Sequence, residues 1–419
     1  MRHFQRKRGE LWCEGVPLQA IAEAVGTPTY VYSRATLTRH FRVVDRALAS
    51  SPHLVCYSVK ACSNLAVLAL LRSLGSGFDV VSGGELRRVL RAGGDPGRVV
   101  FSGVGKTEAE LELALRAGVL CLNAESEEEL VAISRVAMRA KRTARVALRV
   151  NPDVDARTHP YIATALRQSK FGVPLSRARR LYQRAIKLPG LTLTGLDCHI
   201  GSQLTSLGPF SEAVTRLRGL LGQLEADGHR LTHLDLGGGL GVPYLKERPP
   251  SPVAWANALK RALGRSSLRL LVEPGRVIAA NAGVLLTRVL YRKRGVERAF
   301  AIVDAGMNDL LRPALYGAVH ELLPIGSKTR RKIRLDVVGP VCESSDFLVR
   351  QALLDDLAPG DLVAVMTAGA YGFSMASNYN SRPRPAEVLV DGKGWQVVRS
   401  RERPEDLWRG ETIPKELMP

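Results

Sequence analysis

Short apolar runs alternate with amphipathic stretches through the first two thirds of the chain. The runs lie at His53–Val59, Gly77–Val81, Arg98–Ser102, Val119–Asn123, Arg145–Val150, Leu193–His199, Thr232–Leu236 and Leu268–Val272. Each has the length and near-continuous apolar character of a strand buried on both faces. Between them, Asn64–Leu74, Glu85–Ala92, Glu108–Ala117, Ser126–Ala140, Leu175–Leu188, Phe210–Asp227 and Ser251–Leu263 carry apolar residues at helical spacing. Many of these open near Ser, Thr or Asn and close near Gly, as capped helices do. Eight such units predict an α/β fold, a (β/α)8 barrel of the TIM type. The alternation alone also fits a doubly wound sheet. The polar motifs favour the barrel, because Lys60, Asn123, His199, the glycines at 237–239 and Glu273 all fall at C-terminal ends of different strands, where barrel sites converge.

After Arg276 the rhythm changes to β-type runs without regular intervening helices, at Gly283–Tyr291, Arg298–Asp304, Lys332–Val338 and Asp361–Thr367. A hairpin, Ala386–Val390 with Trp395–Val398, turns around Asp391-Gly392. The expected organisation is an N-terminal segment over 1–25 packing on the β domain or the barrel, a barrel over 26–280, and a mostly β domain over 281–419.

Composition narrows the function. The chain has 419 residues, with 60 Lys+Arg against 40 Asp+Glu, a net charge of +20. Such a surplus suggests an anionic partner of some kind: nucleic acid, acidic membrane or a small anionic substrate. No apolar run approaches the roughly 20 residues that span a bilayer, and the basic N-terminus lacks the apolar core of a signal peptide. The six cysteines are scattered without a C-x-x-C pair, against a disulfide framework or a zinc site. No metal is expected, and a cytoplasmic location is.

Four strand-end motifs could carry chemistry. Lys60, in Cys56-Tyr57-Ser58-Val59-Lys60, follows an apolar strand; alone it would be read as a solvated lysine, yet a lysine among apolar groups can form a Schiff base. The loop Asp235-Leu236-Gly237-Gly238-Gly239-Leu240-Gly241 offers bare backbone N–H groups to a phosphate, or is simply a flexible turn. Its glycines do not form G-x-G-x-x-G, which argues against a dinucleotide. Glu273-Pro274-Gly275-Arg276 pairs a carboxylate, suited to a protonated ring nitrogen, with an anion-binding turn, although an ordinary strand exit would look the same. His199 could stack on a flat cofactor or be a satisfied core histidine. Together these groups supply what pyridoxal phosphate requires.

The motifs YSVKACSNL (Tyr57–Leu65), GFDVVSGGEL (Gly77–Leu86), SKFG (Ser169–Gly172), HIGSQ (His199–Gln203), LGGGLG (Leu236–Gly241), EPGR (Glu273–Arg276), RPALY (Arg312–Tyr316), GPVCESSD (Gly339–Asp346) and GAYGFSMASNYN (Gly369–Asn380) follow in order along nearly the whole chain. In these the sequence resembles the fold type III pyridoxal-phosphate-dependent decarboxylases, and within them those acting on meso-2,6-diaminopimelate. The resemblance implies decarboxylation of that substrate to L-lysine and CO2, the last step of lysine biosynthesis. It makes Lys60 the Schiff-base lysine, stacks His199 on the ring and pairs Glu273 with the ring nitrogen. Gly239, Gly275 and Arg276 would surround the cofactor phosphate, with Ser202 and Tyr371 adding hydroxyls. Arg276, Arg312 and Tyr316 would receive the distal carboxylate, Glu343 the distal amine and Tyr371 a further contact. Cys342 would return a proton to Cα. The resemblance also implies a homodimer in which Cys342 and Glu343 enter from the other subunit. Ala61-Cys62 stands where related enzymes often have Ala-Asn.

The chemistry agrees with those roles. A guanidinium fork suits a carboxylate, a neighbouring carboxylate suits an ammonium, and a thiol can donate a proton at neutral pH. A small buried cysteine is the plainer alternative for Cys342. A sister decarboxylase acting on ornithine, arginine or a polyamine precursor would have less need of Arg276, Arg312 and Tyr316 together. A racemase would rely on a tyrosine as second base, and a non-catalytic cofactor-binding protein would not need Cys342-Glu343. Nucleic-acid binding rests on Arg2–Arg8, Arg292–Arg298 and Lys328–Arg334; aromatics are only 5% and barely interleave with these clusters, and no reader motif accompanies them, so no nucleic-acid partner is expected.

Overall fold

The computed structural model describes residues 3–155, 169–295, 298–326 and 330–418. Arg2, residues 296–297 and residues 328–329, parts of the three basic clusters, lie outside the described residues. The chain forms two units, Leu37–Ala280 and the pairing of Met1–Thr36 with Asn281–Pro419.

The first unit is a closed parallel barrel. Its strands are His53–Ser58, Gly77–Val80, Val99–Phe101, Cys121–Ala124, Ala144–Asn151, Leu191–Asp197, His233–Asp235 and Arg269–Val272. Successive strands pair in parallel, Arg269–Val272 returns to His53–Ser58, and every strand therefore has two neighbours. All eight predicted runs became barrel strands. Helices fill the intervals, and their starts follow side-chain chemistry. Asn64, Ser82, Ser126 and Ser251 each accept a backbone N–H at a helix start. Thr107 and Glu110 form a reciprocal capping box.

Because side chains alternate along a strand, every second residue faces the barrel interior. Leu54, Cys56, Val100, Cys121, Ala147 and Leu271 pack there as one buried cluster. Cysteine and alanine among them suit the narrow lumen of an eight-stranded barrel. The lumen is filled at this level, so chemistry is confined to the strand ends above it.

The second unit is built on a mixed sheet. Its path runs Phe347–Asp355, Lys332–Val338, Ala299–Val303, Gly283–Arg294, Thr29–Ser33, Ala386–Asp391 and Gly394–Arg399. Leu362–Val365 joins it by pairing with Gly283–Arg294 and with Leu322–Pro324. Thr29–Ser33, within the span expected to be barrel, is instead an inner strand here: antiparallel to Gly283–Arg294 and parallel to Ala386–Asp391. All five of its residues are buried, and Val31 packs with Val284, Leu286, Val388 and Val390. The N-terminal hairpin and the helix Leu18–Val25 add Leu11, Leu18 and Ile21 to that core. The strand Phe347–Asp355 had no clear signal, since most of its residues are only partly buried or exposed.

Candidate active site

At or just beyond its C-terminal end, each barrel strand offers a polar side chain: Ser58, Asp79, Ser102, Asn123, Arg149, Asp197, Asp235 and Glu273. All eight are buried. The Ser58 hydroxyl donates to Asp79 Oδ2 at 2.8 Å, Asn123 Nδ2 donates to Ser102 Oγ at 3.1 Å, and Ser102 Oγ donates to Glu273 Oε1 at 3.4 Å. Arg149 sits 3.1 Å from Glu125 Oε1 and 3.7 Å from Asp197 Oδ2. Asp197, Asp235 and Glu273 bring carboxylate oxygens within 4.8 Å of one another. The strand ends thus close into a polar ring above an apolar plug.

One more step outward stand Lys60, His199, Gly237 and Gly275, each two residues beyond a ring member. Lys60 Nζ lies 2.7 Å from Asp79 Oδ2. His199 Nδ1 accepts the Gly238 N–H at 3.1 Å, which leaves any ring proton on Nε2. The glycines are required by backbone proximity. A Cβ at Gly239, whose φ is +101°, would stand 2.6 Å from the Gly201 carbonyl oxygen, and one at Gly275 would meet Ala61 Cβ at 2.9 Å. Arg276 begins a short helix after Gly275 and is buried. Its Nη2 donates to Ser202 Oγ at 2.9 Å and its Nη1 to the Tyr244 hydroxyl at 2.6 Å.

The ring holds more acid than base. Burial, reinforced by the Asp235, Asp79 and Asp197 carboxylates, pushes Glu273 well above the usual carboxyl range. Burial and the neighbouring Asp235 do the same to Asp197. Burial raises Asp235 to about 6, against the opposing Gly237 N–H bond. Asp79 goes the other way: burial would raise it, but the Lys60 ammonium and its hydrogen bonds hold it low. Burial, with help from the positive charges of Arg149 and Lys60, pushes His199 down to about 3, so its ring is neutral. One oxygen each of Asp79, Asp197 and Asp235 is buried without a hydrogen-bond partner. A buried acidic ring of this kind favours a cationic group entering it.

Pyridoxal phosphate fits these residues. An amine stands at the ring's edge, a neutral flat imidazole beside it, and carboxyl groups lie where a ring nitrogen would be stabilised. The close-packed glycine turns and the Arg276 guanidinium suit a phosphate.

The remaining predicted residues belong to the second unit. Arg312 opens the short helix Arg312–Tyr316 and is buried, its Nη1 donating to His320 Nε2 at 2.8 Å. Cys342 is exposed, and its backbone N–H donates to Asn380 Oδ1 at 2.7 Å. Glu343 Oε1 accepts the Tyr379 hydroxyl at 2.7 Å. Asp346 fixes the turn that carries them, accepting the N–H groups of Val341 at 2.6 Å and Met307 at 2.7 Å. Tyr371 sits in a tight turn with φ +57°.

The barrel brings Lys60, His199, Ser202, Gly239, Glu273, Gly275 and Arg276 to one face, and the second unit carries Arg312, Tyr316, Cys342, Glu343 and Tyr371. Sequence reasoning missed Asp79, Arg149, Asp197, Asp235 and Tyr244. Asp79 had a legible signal, the one polar residue in the run Gly77–Val80, whereas Arg149, Asp197 and Asp235 share their strands with other polar residues and do not stand out. Tyr244 had none, since it lies on the irregular chain beyond the glycine loop.

The family model for the pyridoxal binding domain of pyridoxal-dependent decarboxylases matches residues 34–280. The diaminopimelate decarboxylase of Vibrio cholerae is 54% identical over 406 residues, 97% of each chain. A solved diaminopimelate decarboxylase from Helicobacter pylori, complexed with L-lysine, is 43% identical with a TM-score of 0.91, over 94% of this chain and 98% of that one. The one from M. jannaschii, also complexed with L-lysine, is 35% identical with a TM-score of 0.95 over 100% of both.

Proposed function

The chain belongs to the pyridoxal-dependent decarboxylases, and from that premise we propose that it converts meso-2,6-diaminopimelate to L-lysine and CO2. When bound, pyridoxal phosphate supplies an electron sink for the pair left at Cα as the carboxylate departs. The chain's own residues do the rest. Lys60 is the amine that would hold the cofactor, and Asp79 at 2.7 Å holds its charge in place until then. His199, half-buried and neutral, presents a flat face without adding charge. Glu273 presents a carboxyl whose raised proton affinity lets it share a proton with a ring nitrogen. Gly239, Gly275, Arg276, Ser202 and Tyr371 are the phosphate donors.

At the substrate's far end, Arg276, Arg312 and Tyr316 receive the carboxylate, Glu343 the ammonium, and Tyr371 adds a hydroxyl. A planar guanidinium matches a carboxylate in two parallel hydrogen bonds, which an ω-amine without that carboxylate cannot use. Cys342 Sγ returns a proton to Cα after CO2 has left. Its exposure supports a homodimer in which Cys342 and Glu343 of each copy complete the other's site. The six free cysteines fit a reducing compartment, and the proposed location is the cytoplasm. Among the described residues no helix is long and apolar enough to cross a membrane.

The observation that carries this reading is Lys60 paired with a fully buried aspartate at the rim of an acid-rich ring of barrel strand ends. The test is CO2 release by the purified, cofactor-loaded protein from diaminopimelate, ornithine and arginine side by side. Release from diaminopimelate alone is expected; release only from ornithine or arginine would replace this substrate assignment with that of a sister decarboxylase.

A further inference from the structure

The substrate-facing arginine of the second unit is held by a residue that the motif reading passed over. Arg312 lies in a five-residue helix that ends at Gly317 in a left-handed turn. The chain then doubles back and lays His320 against the arginine that precedes it by eight residues. His320 is 1% exposed. Its Nε2 is 2.8 Å from Arg312 Nη1, and its Nδ1 is 2.9 Å from the Met366 carbonyl oxygen. A carbonyl only accepts and a guanidinium only donates, so one tautomer satisfies both contacts: Nδ1–H donates to Met366 and the Nε2 lone pair accepts from Arg312. The anchor behind it is firm, since the Met366 N–H donates to the Glu321 carbonyl at 2.8 Å and Leu322 pairs with Val365. The same strand exit leads five residues on to Tyr371.

We propose that His320 is a positioning residue for substrate recognition: as a neutral acceptor it fixes one edge of the Arg312 guanidinium, and with it the orientation in which that guanidinium would meet the distal carboxylate. A long arginine left to itself samples many rotamers, and ordering it only when substrate arrives would weaken binding. An acceptor that carries no negative charge holds the guanidinium without competing as an anion. An Asp or Glu in its place would neutralise the charge meant for the substrate. The inference rests on the proposed role of Arg312.

The test compares two competitive inhibitors of the cofactor-loaded enzyme. L-Lysine retains the distal carboxylate, whereas 1,5-diaminopentane has the same chain and amines without it. Inhibition constants do not depend on how much of a variant is folded. His320→Ala is expected to weaken lysine about tenfold or more, the worth of a charge-assisted hydrogen bond, and to raise KM for diaminopimelate more than it lowers kcat. Diaminopentane should change by less than about twofold. His320→Gln, which keeps one donor and one acceptor, should recover part of the loss. If His320→Ala does not accumulate, His320→Leu, which fills the space without polar atoms, takes its place. Equal weakening of both inhibitors, or an unchanged lysine constant, would overturn the proposal. Arg312→Ala separates the two levels. If it leaves lysine binding unchanged, the role of Arg312 fails; if it weakens lysine while the His320 variants do not, only the present inference fails.

Discussion

The barrel face and the turn bearing Cys342 handle reactive groups in opposite ways. In the barrel, the reactive side chains grow from strand ends whose neighbours on both sides are strands, and several of them are held by other strand ends. Lys60 is held by Asp79, Asp79 by Ser58, and Glu273 by Ser102. In the second unit Cys342 and Glu343 project from an exposed loop, and their neighbours Asn380 and Tyr379 lie on the short 3-10 turn Tyr379–Ser381. Substitutions in the two regions should therefore be felt differently. Barrel groups are part of a buried electrostatic frame, so changing them should alter cofactor binding and the fold's response to pH. The turn residues carry little of the packing, so changing them should cost turnover alone.

The largest expected effect comes from the barrel. Lys60→Ala should abolish turnover and, in the same sample, the near-visible absorbance of the covalently held cofactor. Retained activity would end the assignment of Lys60. Next comes Cys342→Ala, with a roughly 10²–10⁴-fold loss in kcat, the usual worth of a positioned proton donor. Its cofactor absorbance and its melting temperature should stay at wild-type values. A variant that lost the cofactor as well would erase the contrast between the two regions. Mixing the two inactive variants sharpens it: random exchange between homodimers should restore about a quarter of wild-type activity, because half of the dimers would then hold one intact site. No recovery on mixing would leave both halves of the site to one chain.

The smallest effect is a pH profile. Asp235 is pushed from its ordinary 3.8 to about 6 in the fold. A carboxyl with a raised folded pKa binds more protons folded than unfolded, so its contribution to stability is full below about pH 4 and is lost as pH rises through about 6. Asp235→Asn cannot ionise. Without cofactor it should therefore outlast wild type in denaturant above pH 6, by on the order of 1–3 kcal/mol, and lose that advantage below pH 4. Parallel profiles for the two proteins would mean that the ring does not store protons at this position.

Much of this molecule could be read from the order of its residues. All eight barrel strands were visible because a strand covered on both faces must be apolar along its length, and that constraint is local. The glycines and Glu273-Pro274-Gly275-Arg276 stood out for a related reason: a close backbone approach or a sharp strand exit permits few residue types. The +20 charge, by contrast, pointed no further than an anionic partner, and surface arginines such as Arg179 pair with neighbouring carboxylates such as Asp227.

Tertiary structure alone closed the polar ring. Asp79, Arg149, Asp197 and Asp235 are scattered over more than a hundred residues, and nothing local ties one to another. Only the shared stagger of eight parallel strands sets them at one height, where burial and mutual repulsion change their proton affinities. The placement of Thr29–Ser33 followed the same logic. Its β-branched and aromatic residues suit a strand, but which sheet it completes depends on Gly283–Arg294 and Ala386–Asp391, about 250 and 350 residues away. His320 is the sharpest case: its tautomer, and with it its grip on Arg312, is dictated by a carbonyl contributed from Met366. Local propensity governs which segments become strands and helices, whereas charge state and pairing depend on neighbours that the chain brings together only on folding.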